Sequence, residues 1–331
     1  MTVDTAALVA NWQSHATASG RATCGAAVKA DGYGLGASEI SAALVRAGCR
    51  DLFVAHWAEA AALARQPEGV RLAVLHGILP GEMPVALASP AVPVLNTPAQ
   101  VMTWRAATDR PCDVMVDTGM NRLGLTPAEA VSGLLDGLAI DVLHSHLACA
   151  EMPDHPLNVT QAAVFRAVVA RVPAGRAALA NSAGVALGPD FTFDLTRPGI
   201  GLYGGHGHRA VAGLAARVVQ VRDVPAGGTV GYGATWTAAR ASRIAVANLG
   251  YADGFPRALG PGGTATIGGV ACPLAGRVSM VLLAIDATDA DVAEGDWVRL
   301  GFDLAAAAAA TGRSEYELLT GLGHRYARVY E

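Results

Sequence analysis

Between residues 25 and 199 the chain repeats one pattern: a short run apolar on both faces, then a longer amphipathic, alanine-rich stretch. The runs are GAAVKA (25–30), DLFVAH (51–56), RLAVLHG (71–77), VPVLN (92–96), CDVMVDTG (112–119), IDVLHSH (140–146), AALAN (177–181) and DLTRPG (194–199). A strand apolar on both faces must be covered on both, which is the situation of a parallel strand beneath helices. Intervals such as ASEISAALVRAG, WAEAAALARQ, TPAQVMTWRAAT, TPAEAVSGLLDG and LNVTQAAVFRAVVARV have helical periodicity. Thr97 before Pro98, and Thr126 before Pro127, set a capping hydroxyl ahead of a proline at the first helical position. Eight strands alternating with helices predict an α/β fold of the (β/α)8 TIM-barrel type. A doubly wound sheet shares the alternation, and the pattern alone does not separate the two.

Beyond about residue 213 the texture changes. RVVQVRDV, SRIAVANLG, TATIGG and WVRLGF are divided by the turn sequences PAGG, PGG, TDAD and EGD, which predicts a mainly β domain. The expected division is a barrel over residues 1–213 and a mainly β C-terminal domain over 214–331, with Ala-rich helix near the end (LAAAAAA, then SEYELLTGL). A 52% hydrophobic, 16% charged chain can bury a large core and is not disordered. The net charge of −4, with no basic stripe, argues against nucleic-acid or anionic-membrane partners. No apolar run is long enough to span a bilayer, and MTVDTAALVANW lacks a signal-peptide pattern. Five scattered cysteines (Cys24, Cys49, Cys112, Cys149, Cys272) form no CxxC pair, so no metal and a reducing, cytoplasmic location are expected.

Lys29 is the one lysine among 24 basic residues, and it closes the first apolar run. Lysine condenses with an aldehyde, whereas arginine stays protonated and cannot. In a barrel the active site lies where the strands end. Polar residues fall at those ends: Lys29 after strand one, Asp117 and Arg122 after strand five, His144 and His146 at strand six. Asn181 and Ser182 close strand seven, and Arg197, Gly199 and Ile200 close strand eight. The loops NSAG and RPGIG offer a hydroxyl and glycine N–H groups, and the loops after strands seven and eight are a recurrent phosphate site. An aldehyde for Lys29 and a phosphate for these loops describe pyridoxal 5′-phosphate.

VKADGYGLG, VDTGMNRLG, HSHLA, ANSAG, RPGIGLYG, VGYGATW, LGYADGFPR and GRVSM stand in the order found in alanine racemases, and the chain resembles that family along nearly its whole length. The resemblance implies a fold-type III pyridoxal-phosphate enzyme that acts on a small amino acid. It implies a head-to-tail homodimer in which each β domain completes the other subunit's site. On this reading Lys29 carries the cofactor and serves as one base, and Tyr232 of the partner is the opposed base. Arg197 hydrogen-bonds the pyridine nitrogen, and His146 bridges Arg197 and Tyr232. Tyr33, Ser182, Gly199 and Ile200 hold the phosphate, and Asn181 lies beside the cofactor. Arg122 and the backbone N–H of Met280 bind the substrate carboxylate. Tyr251, Asp253, Arg257 and Arg277 match positions lining the site or its entrance.

Three positions depart from the family pattern. Met115 stands where many relatives carry a carbamylated lysine, so another group, such as a chloride or a neighbouring amide, must orient Arg122. Val281 replaces an aspartate. His324 falls where a phosphate-contacting tyrosine is usual, unless the alignment slips by two and Tyr326 takes that place. His144 reads as a core histidine, and Asp117 and Asp253 read equally well as caps or turn formers. The leading expectation is alanine racemisation supplying D-alanine for peptidoglycan. The alternatives are a broad-specificity racemase, a decarboxylase, a non-catalytic cofactor carrier and a dead paralogue.

Overall fold

A computed structural model describes residues 1–331, which form two compact units: Leu8–Leu202, and Met1–Ala7 together with Tyr203–Glu331. In the first, seven parallel strands pair in chain order: β1 (Ala26–Ala27), β2 (Asp51–Val54), β3 (Arg71–Val74), β4 (Val92–Leu95), β5 (Cys112–Met115), β6 (Ile140–His144) and β7 (Arg176–Ala178). An eighth, β8 (Leu195–Thr196), closes the ring. Its carbonyl row accepts from Gly25 and Ala27 through Thr196 and Pro198, while the Arg197 N–H donates to Ala180 across the other edge. The expected (β/α)8 architecture is therefore present. Leu52, Phe53, Val54, Val94, Leu95, Val114, Val142 and Leu143 are fully buried, as both-face apolar strands require.

The capping signals act as the sequence implies. Thr97 Oγ1 accepts the Gln100 N–H at the start of helix Pro98–Ala107, and Thr126 with Glu129 forms a capping box. TPAEAVSGLLDG, however, is helical only over Pro127–Ala130. Gly133 and Gly137 take positive φ (90° and 80°), and two left-handed glycines stop the helix that the apolar spacing suggested. No helix is long and apolar enough to cross a membrane.

The second unit is mainly β. Its long strand, Ala212–Val224, pairs through Leu214–Arg217 with Trp297–Leu300 and through Val218–Val224 with Ser242–Ala247, with a register shift between Val218 and Gln220. Leu283–Asp286 continues beyond Ser242–Ala247. The hairpin Thr264–Ile267/Val270–Pro273 turns on Gly268-Gly269, both at positive φ, the requirement of a two-residue turn that follows strand twist. Thr2–Val3 belongs to this sheet, antiparallel to Ala212–Gly213 and parallel to Val329–Tyr330.

At the end where the barrel strands begin, five charged residues are bridged. Arg71 pairs with Asp113, with Asp141 at 2.6 Å and with Asp51 at 3.8 Å; Arg176 pairs with Asp51 at 2.9 Å and Asp141 at 3.3 Å. Asp113 is fully buried and also accepts the Val142 N–H (3.0 Å) and His144 Nε2 (2.9 Å). Burial opposes its charge, but His144 and Arg71 prevail and hold its carboxyl below the ordinary range. His144 is thus a core histidine whose Nε2 meets a carboxylate while its Nδ1 is buried without a partner, packed edge-on to Phe53.

Asp113→Ala leaves His144 and part of the Arg71 charge without a partner, and is expected to cost about 3 kcal/mol in urea unfolding. A loss below about 1 kcal/mol would show that these bridges are not what holds the barrel. Burial also pushes His144 down to about 4 from 6.5, against the pull of Asp113. The unfolded chain therefore binds a proton that the folded chain refuses. This contribution is intact above about pH 6.5 and is lost as the pH falls toward 4. The urea midpoint should drop between pH 7 and pH 5, and drop less in His144→Gln.

Candidate active site

The residues at the strand ends of the barrel unit converge as the sequence suggested. Arg197, buried directly after β8, donates through Nη2 to the carbonyls of Ser145 (2.5 Å) and Leu179 (3.4 Å) and to His146 Nδ1 (3.5 Å). Its Nη1 is buried with no acceptor. Desolvation lowers its pKa to about 10 while Asp113 opposes the fall, so it remains a cation at neutral pH. Half-buried His146 is driven down to about 3 by desolvation and by the charges of Arg197, Arg122 and Lys29. It is neutral, and accepting at Nδ1 leaves its proton on Nε2.

Lys29 is half-buried, two residues beyond the end of β1. Its pKa is lowered by desolvation and then by Arg122; Glu59 opposes this, and Arg197 adds to the lowering. Four residues after it, buried Tyr33 sits at φ 55°. A Cβ built on Gly199 would lie 2.2 Å from Tyr33 Oη, so only glycine allows this approach. Ser182 Oγ accepts the N–H groups of Gly199 (2.8 Å) and Gly201 (3.1 Å), and Ile200 between them is buried. Asn181 Oδ1 caps the short helix Ser182–Ala186 through the Gly184 N–H (2.8 Å).

Arg122 is exposed, on a loop gathered by Asp117. Asp117 Oδ1 accepts from Gly119 (2.9 Å) and Asn121 (3.0 Å), and Oδ2 from Arg122 (2.7 Å). Burial works against its charge, yet these backbone N–H groups hold the carboxyl below its usual range. Met115, buried at the end of β5, contributes only packing there.

Two positioning groups escaped the sequence reading. Gln161, fully buried, donates to the His146 carbonyl (2.9 Å) and Thr118 Oγ1 (3.3 Å) and accepts the Ala148 N–H (2.9 Å). Thr118 Oγ1 in turn bonds Ser145 Oγ at 2.8 Å. Gln161 lies on the helix face of Asn158, Ala162, Phe165 and Val168, and an amide in that apolar spacing was the available signal. The other is Glu59, which accepts the Ala30 N–H at 2.8 Å.

The remaining candidates gather in the β unit. Tyr232 is 70% exposed on a short turn whose Gly233 would place a Cβ 3.3 Å from Arg277 Nη1. The Tyr251 N–H donates to the Ser279 carbonyl (3.0 Å) and the Ala252 N–H to that of Met280 (2.9 Å), which joins Tyr251 to exposed Met280 and Val281. Asp253 accepts the Gly250 N–H (2.9 Å) and Arg325 Nε (2.7 Å), a structural partner set. Arg257 and His324 are exposed. Tyr326 is half-buried, and its Oη is buried with no hydrogen-bond partner.

The family models for the N-terminal and C-terminal domains of alanine racemase match residues 3–207 and 211–330. An alanine racemase of Acidiphilium cryptum is 45% identical over 99% of this chain and 98% of its own length. Two from Agrobacterium fabrum, one biosynthetic and one catabolic, are each 42% identical over the whole chain, covering 93% and 91% of their own lengths. A crystal structure of alanine racemase from Bartonella henselae with covalently bound pyridoxal phosphate superposes with a TM-score of 0.89 at 39% identity, over 100% of this chain and 98% of that one. Both halves of the chain and the whole of its length thus carry the same likeness, and the chain belongs to the alanine racemase family of isomerases.

Proposed function

We propose that the chain interconverts L- and D-alanine with pyridoxal 5′-phosphate, as a homodimer in which Lys29 of one subunit and Tyr232 of the partner subunit are the two bases. The observation that carries the cofactor is Arg197: a buried guanidinium whose Nη1 has no acceptor suits a ring nitrogen with a lone pair. Ser182 Oγ accepts from Gly199 and Gly201 and so keeps its own proton to donate, which with Tyr33 beside Gly199 suits a phosphate oxygen. The Gly199 N–H expected to bind the phosphate is instead engaged by Ser182. When bound, pyridoxal phosphate supplies an aldehyde for the amine and an electron-withdrawing ring that eases departure of the substrate's α-proton.

The chain's residues do the rest. Burial and neighbouring cations lower the Lys29 pKa, which raises the share of the neutral amine that can condense and exchange a proton. Arg197 can only donate, so it leaves the ring nitrogen unprotonated, which weakens the electron sink and favours return of the proton over its loss elsewhere. Arg122 offers its fork to the substrate carboxylate. With Met115 unable to support it, Asp117 fixes its backbone, and Gln161 ties the loop through Thr118 to the end of β6. Tyr232 is the base on the opposite face, and His146 orients it and Arg197.

The exposure of Tyr232, Tyr251, Met280 and Val281 in a single chain supports their burial against a second copy. All five cysteines are free, which supports a reducing cytoplasm. The biosynthetic relative supports D-alanine supply, which is the direction proposed, and the catabolic relative of equal identity supports its breakdown as the alternative. Chiral analysis of L-alanine incubated with the cofactor-loaded enzyme should show conversion to the racemic mixture, absent in Lys29→Ala. Tyr232→Phe should lose abstraction from L-alanine by about 100-fold or more. Mixing the two inactive variants should restore up to about a quarter of the sites if each site is shared between subunits. Absence of any conversion by the unmodified enzyme would overturn the assignment, and unchanged turnover in Tyr232→Phe would remove that residue from it.

A further inference from the structure

The residues that follow Lys29 wind the wrong way. Ala30 (φ 53°, ψ 49°), Asp31 (53°, 50°) and Gly32 (60°, 45°) are left-handed, Tyr33 follows at φ 55°, and Gly34 at 85°. Three of these residues, Ala30, Asp31 and Tyr33, carry a Cβ that this conformation crowds against the backbone. Hydrogen bonds hold the turn from within: Gly32 N–H to Val28, Gly34 N–H to Ala30, Gly36 N–H to Asp31, and Ala37 N–H to Asp31 Oδ1. From outside, Glu59 in the first turn of helix Trp57–Ala62 holds it with one carboxylate oxygen and the end of β2 with the other. Oε1 accepts the Ala30 N–H at 2.8 Å and Oε2 the Ala55 N–H at 2.7 Å, so one carboxylate joins the turn after β1 to the end of β2.

We propose that Glu59 is a positioning residue for Lys29: its carboxylate anchors the strained turn that begins at the amine and supplies a negative charge against the cations around it. Those cations are Arg122 and Arg197; His146, neutral, lies within reach of the same field, and half-exposed His56 is 3.8 Å from Glu59 Oε1. Glu59 is 18% exposed, and charge-assisted bonds to two backbone donors fix it in one place. Without it, the amine would face two guanidinium groups on a turn free to relax into the right-handed region.

The inference takes Lys29 as the working amine of the proposed function, but its test needs no cofactor. Since Lys29 is the only lysine, the full-length chain labelled with 15N-lysine gives one side-chain signal to titrate. Glu59→Gln is expected to lower the Lys29 midpoint by about one pH unit. Glu59→Asp, which keeps the charge but shortens the reach, is expected to hold the midpoint near the native value and to weaken pyridoxal phosphate binding about tenfold. A merely structural role would move stability alone. An unmoved midpoint in Glu59→Gln overturns the proposal, and so does an equal fall in both variants. In the unmodified chain the Ala30 and Ala55 amides should be protected from hydrogen exchange; rapid exchange at both overturns the clamp even if the variants do not fold. Failure to bind pyridoxal phosphate would instead sink the cofactor assignment and leave the titration to decide Glu59.

Discussion

Asp113 is the interaction on which the barrel unit depends. One buried carboxylate joins Arg71 on β3, the Val142 N–H and His144 on β6, and through Arg71 and Arg176 the acids of β2 and β6. Asp51, Asp113 and Asp141 stand against Arg71 and Arg176, with His144 neutral, so this bridged set carries one negative charge in excess. Desolvation lowers the Arg197 pKa, and Asp113 offsets part of the fall. Burying a lone guanidinium is prohibitive without such a counter-charge. The cluster where the strands begin thus lends counter-charge to a cation where they end, whose Nη1 has no protein acceptor.

At that other end the balance is reversed. Lys29, Arg122 and Arg197 share one field, with Glu59 the carboxylate that favours the amine's charge and His146 kept neutral by its neighbours. A concentration of positive charge of this kind favours anions, and a phosphate together with a carboxylate would satisfy it. The same field lowers the Lys29 pKa, as a nucleophilic amine at neutral pH requires.

The strand ends were legible because parallel strands covered by helices cannot hide their periodicity, and a polar residue closing an apolar run points at the active face. The supporting residues were not legible, for reasons of the same kind. Asp113 lies inside an apolar run, and nothing local tells a buried ion pair from an interruption, whereas its neighbour His144 did read as a core histidine. Glu59 and Gln161 look like solvated helix polars until the tertiary fold turns them inward. The left-handed path of Ala30 and Asp31 contradicts their intrinsic preference, so local propensity could only mispredict it. Thr2–Val3 is too short to register as a strand, and its place is set by pairing partners some two hundred and three hundred residues away. Asn181, which the resemblance sets beside the cofactor, also caps a helix through its Oδ1.

Tyr232 shows why a second copy belongs to the proposed chemistry. A phenol ordinarily titrates near pH 10, too high for a base at neutral pH, and it becomes useful only where neighbouring cations favour its anion by more than burial opposes it. On its own chain it is largely exposed, and the cation described beside its turn is Arg277. A dense set of cations lies at the strand ends of the barrel unit, where Arg197 and neutral His146 are hydrogen-bonded to each other. A phenol brought into that field from a partner would lose water and gain positive neighbours in one step. Lys29 needs the same tuning, a lowered pKa: burial lowers it most, and the same cations add to the fall. One field can therefore bring an amine and a phenol toward the same working pH, which is what two opposed bases must share to run a reversible reaction in both directions.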